Sequence, residues 1–440
     1  MTTYYDPMYG EIDLDDLILD VVESCPELKR LKLIGMMNFK SVQMLPLTSI
    51  SRLEHTIGLA YLAQLLASGN PHLQDWKNDL LVAALYHDVN CGSFGHSVEW
   101  AIDRFSPYNH EEKVSWVEET QTLAGLRDKP IFLEQDGLHR HRHADKYSIN
   151  FSRVNGLVNG TASYVLNNSG IDLDNIDNVL RMAHSLGKLP KTDMGVELVR
   201  RLRVVPGESN FVIDSEGLGL VQEWRRQRSD VYECFIYTHE YMAFEYLVFE
   251  LIQEHAKLVE TEGLANLFHY TDERLLWWFY DNADPNTKLR DIAKRLLLHE
   301  LPHCHGILRS SCFKLKRDLE KEGVLSDLSA HINAEINKRR GSFSSNGKLV
   351  SLHLTTDDRK TSRCIPILVE EAGRVHEELL GEDERYILLA VLSDRHDSSN
   401  RHDAYAIQAT ARVLKDFGLS DIEPIKKING DSRAPQYALL

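Results

Sequence analysis

The sequence predicts a mainly α protein with a small α+β region at its C-terminal end. Three observations carry this. Apolar residues recur at helical spacing through most of the first 300 residues. A Gly/Ser-rich basic stretch, NKRRGSFSSNGK, breaks that texture near residue 340. Beyond it, short apolar runs read as strands, with one helical segment beside them. The expected division is a helical part over 1–335 and an α+β region over 336–440.

In chain order, SRLEHTIGLAYLAQLLASG has apolar residues at 53, 57, 60, 62, 65 and 66 and reads as a helix. Ser49 or Ser51 is its expected cap and Gly69 its stop. NDLLVAALYHDVN reads as a second apolar helix, ending at Asn90-Cys91-Gly92. NHEEKVSWVEETQTLAG starts a third, with Asn109 as N-cap. Residues 128–160 have weak periodicity and are expected to form a loop or lid. IDLDNIDNVLRMAHSLG is a helix with an acidic start and a Gly stop. The stretch from VQEWRRQRSD to HAKLVE is expected to be long and helical. KLVSLHLTT, CIPILVEE and RYILLAVLSD read as strands, and RHDAYAIQATARVLKDFG as a helix.

The net charge of −16 at pH 7 argues against coating nucleic acid through its phosphates. A local basic pocket is still enough to bind a small anion. The N-terminus has no basic start followed by an apolar run, so no signal peptide is expected. No stretch approaches the roughly 18 apolar residues of a membrane span. The six cysteines show no CxxC spacing and read as reduced thiols, which points to the cytoplasm. Neither GxxxxGK[ST] nor GxGxxG occurs.

The chemistry concentrates in a few positions. His55 lies 32 residues before His87, each on an apolar helix, and Asp88 follows His87 directly. A buried ionisable pair is costly unless it is hydrogen-bonded or coordinates a metal. Alone, His-Asp reads as a capped helix end. A fourth ligand would come from Asp172, Asp174 or Asp177, and the same acids also suit a helix N-terminus. Two imidazoles and two carboxylates suit a divalent ion: Mn, Fe, Co, Ni, Zn or Mg. Such an ion lowers the pKa of water.

With these residues in this order, the chain resembles the HD-domain phosphohydrolases. The likeness is greatest to the sterile-alpha-motif/HD-type deoxynucleoside triphosphate triphosphohydrolases. SRLEHT, LYHDVNCGSFGH, NHEE and IDLDNID carry it, with YDPMYGEIDL, LKRLKLIG, RRQRSDVYECFIYTHEYMAFEYLV and YTDERLLWWF around them, over roughly residues 5–300. The resemblance implies an HD-type helical core and a divalent metal held by His55, His87, Asp88 and Asp174. It implies His110 as general acid with Glu111 beside it, and His96 as a further active-site histidine. Arg52 and Arg228 then contact phosphate, and Tyr232 and Tyr237 the nucleotide, although Tyr237 is offset by one position. It also implies a homo-oligomer, dimer or tetramer, with a nucleotide effector.

Several positions depart from that pattern. Cys91 stands where the family has an active-site histidine, and Asn175 where it has a phosphate-binding lysine. Asn178, Met182 and Met36 replace residues that pack on or read the sugar and base. The metal positions are intact while the deoxyribose reader is altered, and lost buried hydrogen-bond pairs change selectivity by large factors. The expected function is a nucleotide triphosphohydrolase that releases triphosphate. The alternatives are a phosphatase or pyrophosphatase of a modified or signalling nucleotide, and a nucleotide-sensing module with weak catalysis. The run His139 to His143 reads as a solvated loop, and PHCHG at 302–306 as structural.

Overall fold

The computed structural model describes residues 2–103, 145–168, 170–189, 191–259, 264, 267, 270–321, 323–340, 350–394 and 400–425. Its contacts divide the chain into two compact units. One comprises Met1–Arg228, Ile252–Asp284 and Cys364–Gly381, the other Ser229–Leu251, Pro285–Arg363 and Glu382–Leu440. The sequence-based division at 335/336 falls inside a segment of the second unit.

The first unit is mainly helical, as the periodicity predicts. It opens on an antiparallel hairpin of β1 (Thr2–Asp6) and β2 (Gly10–Leu14). The helix Arg52–Gly69 starts at a capping box: the Ser51 hydroxyl accepts from the Glu54 amide, and the Glu54 carboxylate accepts from the Ser51 amide. Leu59, Leu62, Ala63 and Leu66 of that helix are fully buried. The helix Lys77–Tyr86 packs beside it, and its apolar run Leu80–Leu85 is buried on all sides. The helix Leu173–Ser185 packs on the same partner.

Three expectations change here. Residues 128–160 are not all loop, because Phe151–Val158 is a helix capped by the Asn150 side chain. The long helical stretch is two helices, Ser215–Ile236 and His239–Ala256. They part where the Thr238 hydroxyl turns back to the Phe235 carbonyl and accepts from the Tyr241 amide. CIPILVEE forms β6 (Ile365–Glu371), but in the first unit: it pairs parallel with β3 (Val212–Asp214) and antiparallel with β7 (Arg374–Leu380). The expected helix at NHEEK and the basic stretch at 341–349 lie outside the described residues.

The second unit holds a four-stranded antiparallel sheet in the order β5-β8-β4-β9. These are β4 (His303–Ser310), β5 (Ser351–Asp358), β8 (Arg385–Ser393) and β9 (Glu423–Pro424). β8 is central, so its run Ile387–Ser393 is buried on both faces. The helices Val324–Arg340 and Asn400–Phe417 complete a core of Leu308, Ile332, Leu352, Leu389, Ile407 and Leu414.

Candidate metal centre

All the residues of this centre belong to the first unit. His55 sits one turn into its helix, 2% exposed. Its Nδ1 donates to Asp177 Oδ2 at 2.7 Å, and its Nε2 lies 2.9 Å from Asp174 Oδ1. His87 is the residue after Tyr86, where the second helix ends. Its Nδ1 donates to the Ala84 carbonyl at 2.8 Å. Its Nε2 lies 3.3 Å from His55 Nε2, 3.6 Å from Asp88 Oδ2 and 3.6 Å from Asp174 Oδ1. Adjacent helical residues would diverge by about 100°. Here the backbone turns at the helix end, with Val89 N–H bonded to the Tyr86 carbonyl and Cys91 N–H to that of Asp88. His87 and Asp88 therefore serve one point.

The donor set fits a divalent ion. Ligand atoms of His55, His87 and Asp88 lie within 4.8 Å of one another, and Asp174 Oδ1 is close to both imidazoles. Atoms sharing an ion at about 2.1 Å stand roughly 3 to 3.5 Å apart, and the 3.3 to 3.6 Å from His87 Nε2 to His55, Asp88 and Asp174 come close to that. Each Nδ1 has an oxygen acceptor, which fixes the tautomer and aims Nε2 inward, as ligating histidines require.

The electrostatics favour a cation. Burial lowers the His55 pKa, but Asp174 and Asp177 outweigh it and lift it to about 10. Burial likewise opposes the rise at His87, which Asp88 and Asp174 impose. Against the burial that raises them, the histidines hold Asp174 well below the usual carboxylate range, and Arg181 with His55 holds Asp177 at about 2. Asp172 is different: burial and the neighbouring Asp174 charge push it up to about 7. Its carboxylate caps the helix, accepting from the Asn175 amide at 2.7 Å and the Asn168 amide at 2.9 Å. The three acids of DLDNID thus divide into a cap, a group facing the imidazoles, and a support behind His55.

That support runs deeper than the sequence reading reached. Asp177 also accepts from Tyr9 Oη at 2.8 Å and from Arg181 Nε at 2.9 Å. Arg181 reaches Asp6 in the N-terminal hairpin at 3.0 Å. Gly58 makes room for the pair, since a Cβ there would lie 2.0 Å from Arg181 Nη2 and 2.5 Å from Asp177 Oδ1. The signal in the sequence was the i,i+4 spacing of Asp177 and Arg181. Tyr9 and Asp6 lie in YDPMYGEIDL, which the resemblance includes without assigning either a role.

Arg52 donates to Asp88 Oδ2 at 2.6 Å, and its buried Nε has no hydrogen-bond partner among the described residues. Gly95, at φ +48°, lets the loop pass close: a Cβ there would lie 2.5 Å from Arg52 Nη2. The loop after Asp88 is pinned by Arg30, which donates to the Val89 and Cys91 carbonyls at 2.8 Å each. Asp272 adds to this by accepting from the Phe94 amide at 2.9 Å.

The other predicted residues fall as follows. His96 opens the helix Gly95–Asp103, bonds Glu99 at 2.8 Å and stacks on Trp100. His110 and Glu111 lie outside the described residues, as does the run His139 to His143. Arg228 is buried in the first unit. Tyr232 and Tyr237 belong to the second unit, where Lys360 lies over the Tyr232 ring and Tyr237 donates to Asp357 at 2.5 Å. Of the departures, Cys91, Met36 and Met182 are buried, and Asn175 donates to both Asp172 oxygens at 3.0 Å.

A His at a helix start, a His-Asp at a helix end and an Asp from a third helix are the features shared with HD-domain phosphohydrolases, and comparison with known proteins supports that likeness. Over 114 residues, 24% of this chain and 17% of the relative, it is 35% identical to deoxynucleoside triphosphate triphosphohydrolase SAMHD1 of Xenopus laevis. The human SAMHD1 matches at 32% over 152 residues, 31% of this chain and 23% of the relative. The SAMHD1 homolog of Dictyostelium discoideum matches at 23% over 252 residues, 53% of this chain and 45% of the relative. The chain thus spans less than half the length of these relatives. No family model matches it. No helix among the described residues is long and apolar enough to cross a membrane.

Proposed function

We propose that this chain is a metal-dependent nucleotide phosphohydrolase, and that it releases triphosphate from a nucleoside triphosphate. The observation that carries this is the convergence of His55, His87 and Asp88, with Asp174 against both imidazoles, beside a buried arginine whose Nε has no hydrogen-bond partner among the described residues. His55, His87, Asp88 and Asp174 would hold a divalent ion, which would supply Lewis acidity toward water and toward a phosphoryl oxygen. Asp177 and the Ala84 carbonyl keep the two imidazoles aimed at that point. Asp88 positions the Arg52 guanidinium, which neutralises charge gathering on the phosphoryl oxygens. Water adds to the α-phosphorus and the bond to the 5′ oxygen breaks. The nucleoside leaves with a proton, for which His110, beside Glu111, is the proposed donor. The reading extends to the cytoplasm, on the reduced cysteines, and to a homo-oligomer with a nucleotide effector, which the family resemblance implies.

One observation favours a second reading, a phosphatase or pyrophosphatase of an altered nucleotide. Asn175 is turned onto Asp172, and Met182 is buried in the helix core. Neither residue offers the charge that the family pattern has there. Product analysis separates the two. The purified chain with Mn²⁺ is given ribo- and deoxynucleoside triphosphates, singly and mixed, and the products are resolved by anion exchange. Nucleoside plus triphosphate supports the first reading. Phosphate or pyrophosphate from one unusual nucleotide supports the second. No turnover of any nucleotide by metal-loaded protein overturns both.

A further inference from the structure

We infer that His303, His305 and Asp403 form a second metal site, for a borderline divalent ion of the Zn²⁺ class, that clamps the helix Asn400–Phe417 to β4. All three residues lie in the second unit. His303 Nε2 is 3.0 Å and His305 Nδ1 2.6 Å from the same oxygen, Asp403 Oδ1. The three ligand atoms lie within 4.8 Å of one another, and the two rings meet edge-on with centroids 4.8 Å apart. Two imidazole nitrogens and one carboxylate make a mixed N/O set that suits Zn²⁺, Co²⁺ or Ni²⁺ and leaves positions for water.

Three independent features build this place. First, the pairing of β4 with β8 slips between Cys304 and Gly306, so that His305 is the extra residue of a bulge. Bulges re-aim side chains and recur beside functional groups. Second, Gly306 allows the helix to come close, because a Cβ there would lie 2.7 Å from Ile407 Cδ1. Asp403, in the first turn of that helix, is thereby brought to the strand. Third, His305 Nε2 has its own oxygen partner, Ser393 Oγ at 2.9 Å. Ligating histidines need such a partner on the nitrogen that does not face the ion. The side chains are 9 to 18% exposed, which leaves an entry path. His-x-His at 303–305 has no third ligand near it along the chain, and the fold supplies one about 100 residues on.

Metal counting tests this independently of the first centre. The full-length chain carrying His87→Ala, stripped by chelator, is titrated with Co²⁺ and read by visible absorption and bound equivalents. One equivalent with d–d bands is expected. Adding His303→Gln, which retains a side-chain amide for Asp403, should abolish it, and Ser393→Ala should weaken it about tenfold. If the His87→Ala chain binds no Co²⁺, or binds it unchanged with His303→Gln, the cluster is a hydrogen-bonded staple only. Should His87→Ala fail to fold, the count is made on the otherwise unaltered chain. Loss of one equivalent by His303→Gln alone is then expected, and an unchanged count overturns the site.

Discussion

Asp177 is fully buried, and its oxygens receive His55, Arg181 and Tyr9. It touches the His55 nitrogen opposite the one that faces Asp174, so its role is to set the angle of the ring. Asp177→Asn keeps every proposed ligand and should still weaken Mn²⁺ binding about 10–100-fold by calorimetry. Unchanged affinity would mean that the ring is oriented from elsewhere. Gly58→Ala attacks the same support from the helix side. Its Cβ would displace Arg181 from Asp177, and breaking a buried ion pair costs about 3–5 kcal/mol. A thermal midpoint close to that of the unaltered chain would refute the crowding. His55, His87 and Asp88 were legible because their order and spacing are specific. Asp177 was not, because an acid near a helix start has two meanings until its neighbours are known.

At the scale of elements, the Ser51 capping box fixes where the His55 helix begins, and hence where on the helix His55 faces the centre. Ser51→Ala should lower stability by about 1 kcal/mol in denaturant unfolding. The contact between His239–Ala256 and Asp272–Asn282 carries a pH dependence. His255 lies edge-on to the Trp278 and Phe279 rings, and burial pushes its pKa down to about 4. The unfolded chain has an ordinary histidine near 6.5. The folded state therefore resists a proton that the unfolded state takes up, and stability falls as pH drops from about 6.5 to 4. The loss should approach about 3 kcal/mol by pH 4, and His255→Leu should flatten it. An equal slope in that variant would assign the effect to another group. The periodic helices were readable because apolar spacing dictates them. β4 and β7 were not, because HCHGILRS and RVHEELL carry too many polar residues to look like strands, and pairing with apolar neighbours decides them.

At the scale of the whole molecule, the units interleave along the chain, and β6–β7 joins the sheet of the first unit from within the C-terminal region. Composition cannot reveal this, since a strand such as CIPILVEE satisfies its apolar face equally in either sheet. An ion bound only by the folded chain stabilises it by mass action, about 2.7 kcal/mol at 100 times the Kd. Chelation should accordingly lower the thermal midpoint, and an unmoved midpoint would argue against resident metal. The most direct measurement is an anomalous difference map from crystals grown with Mn²⁺. The expected result is a peak bounded by His55 Nε2, His87 Nε2, Asp88 and Asp174. A map with no peak there, or with Mn²⁺ at Asp172 instead, would contradict the proposal that the His87-Asp88 helix end is half of a metal centre.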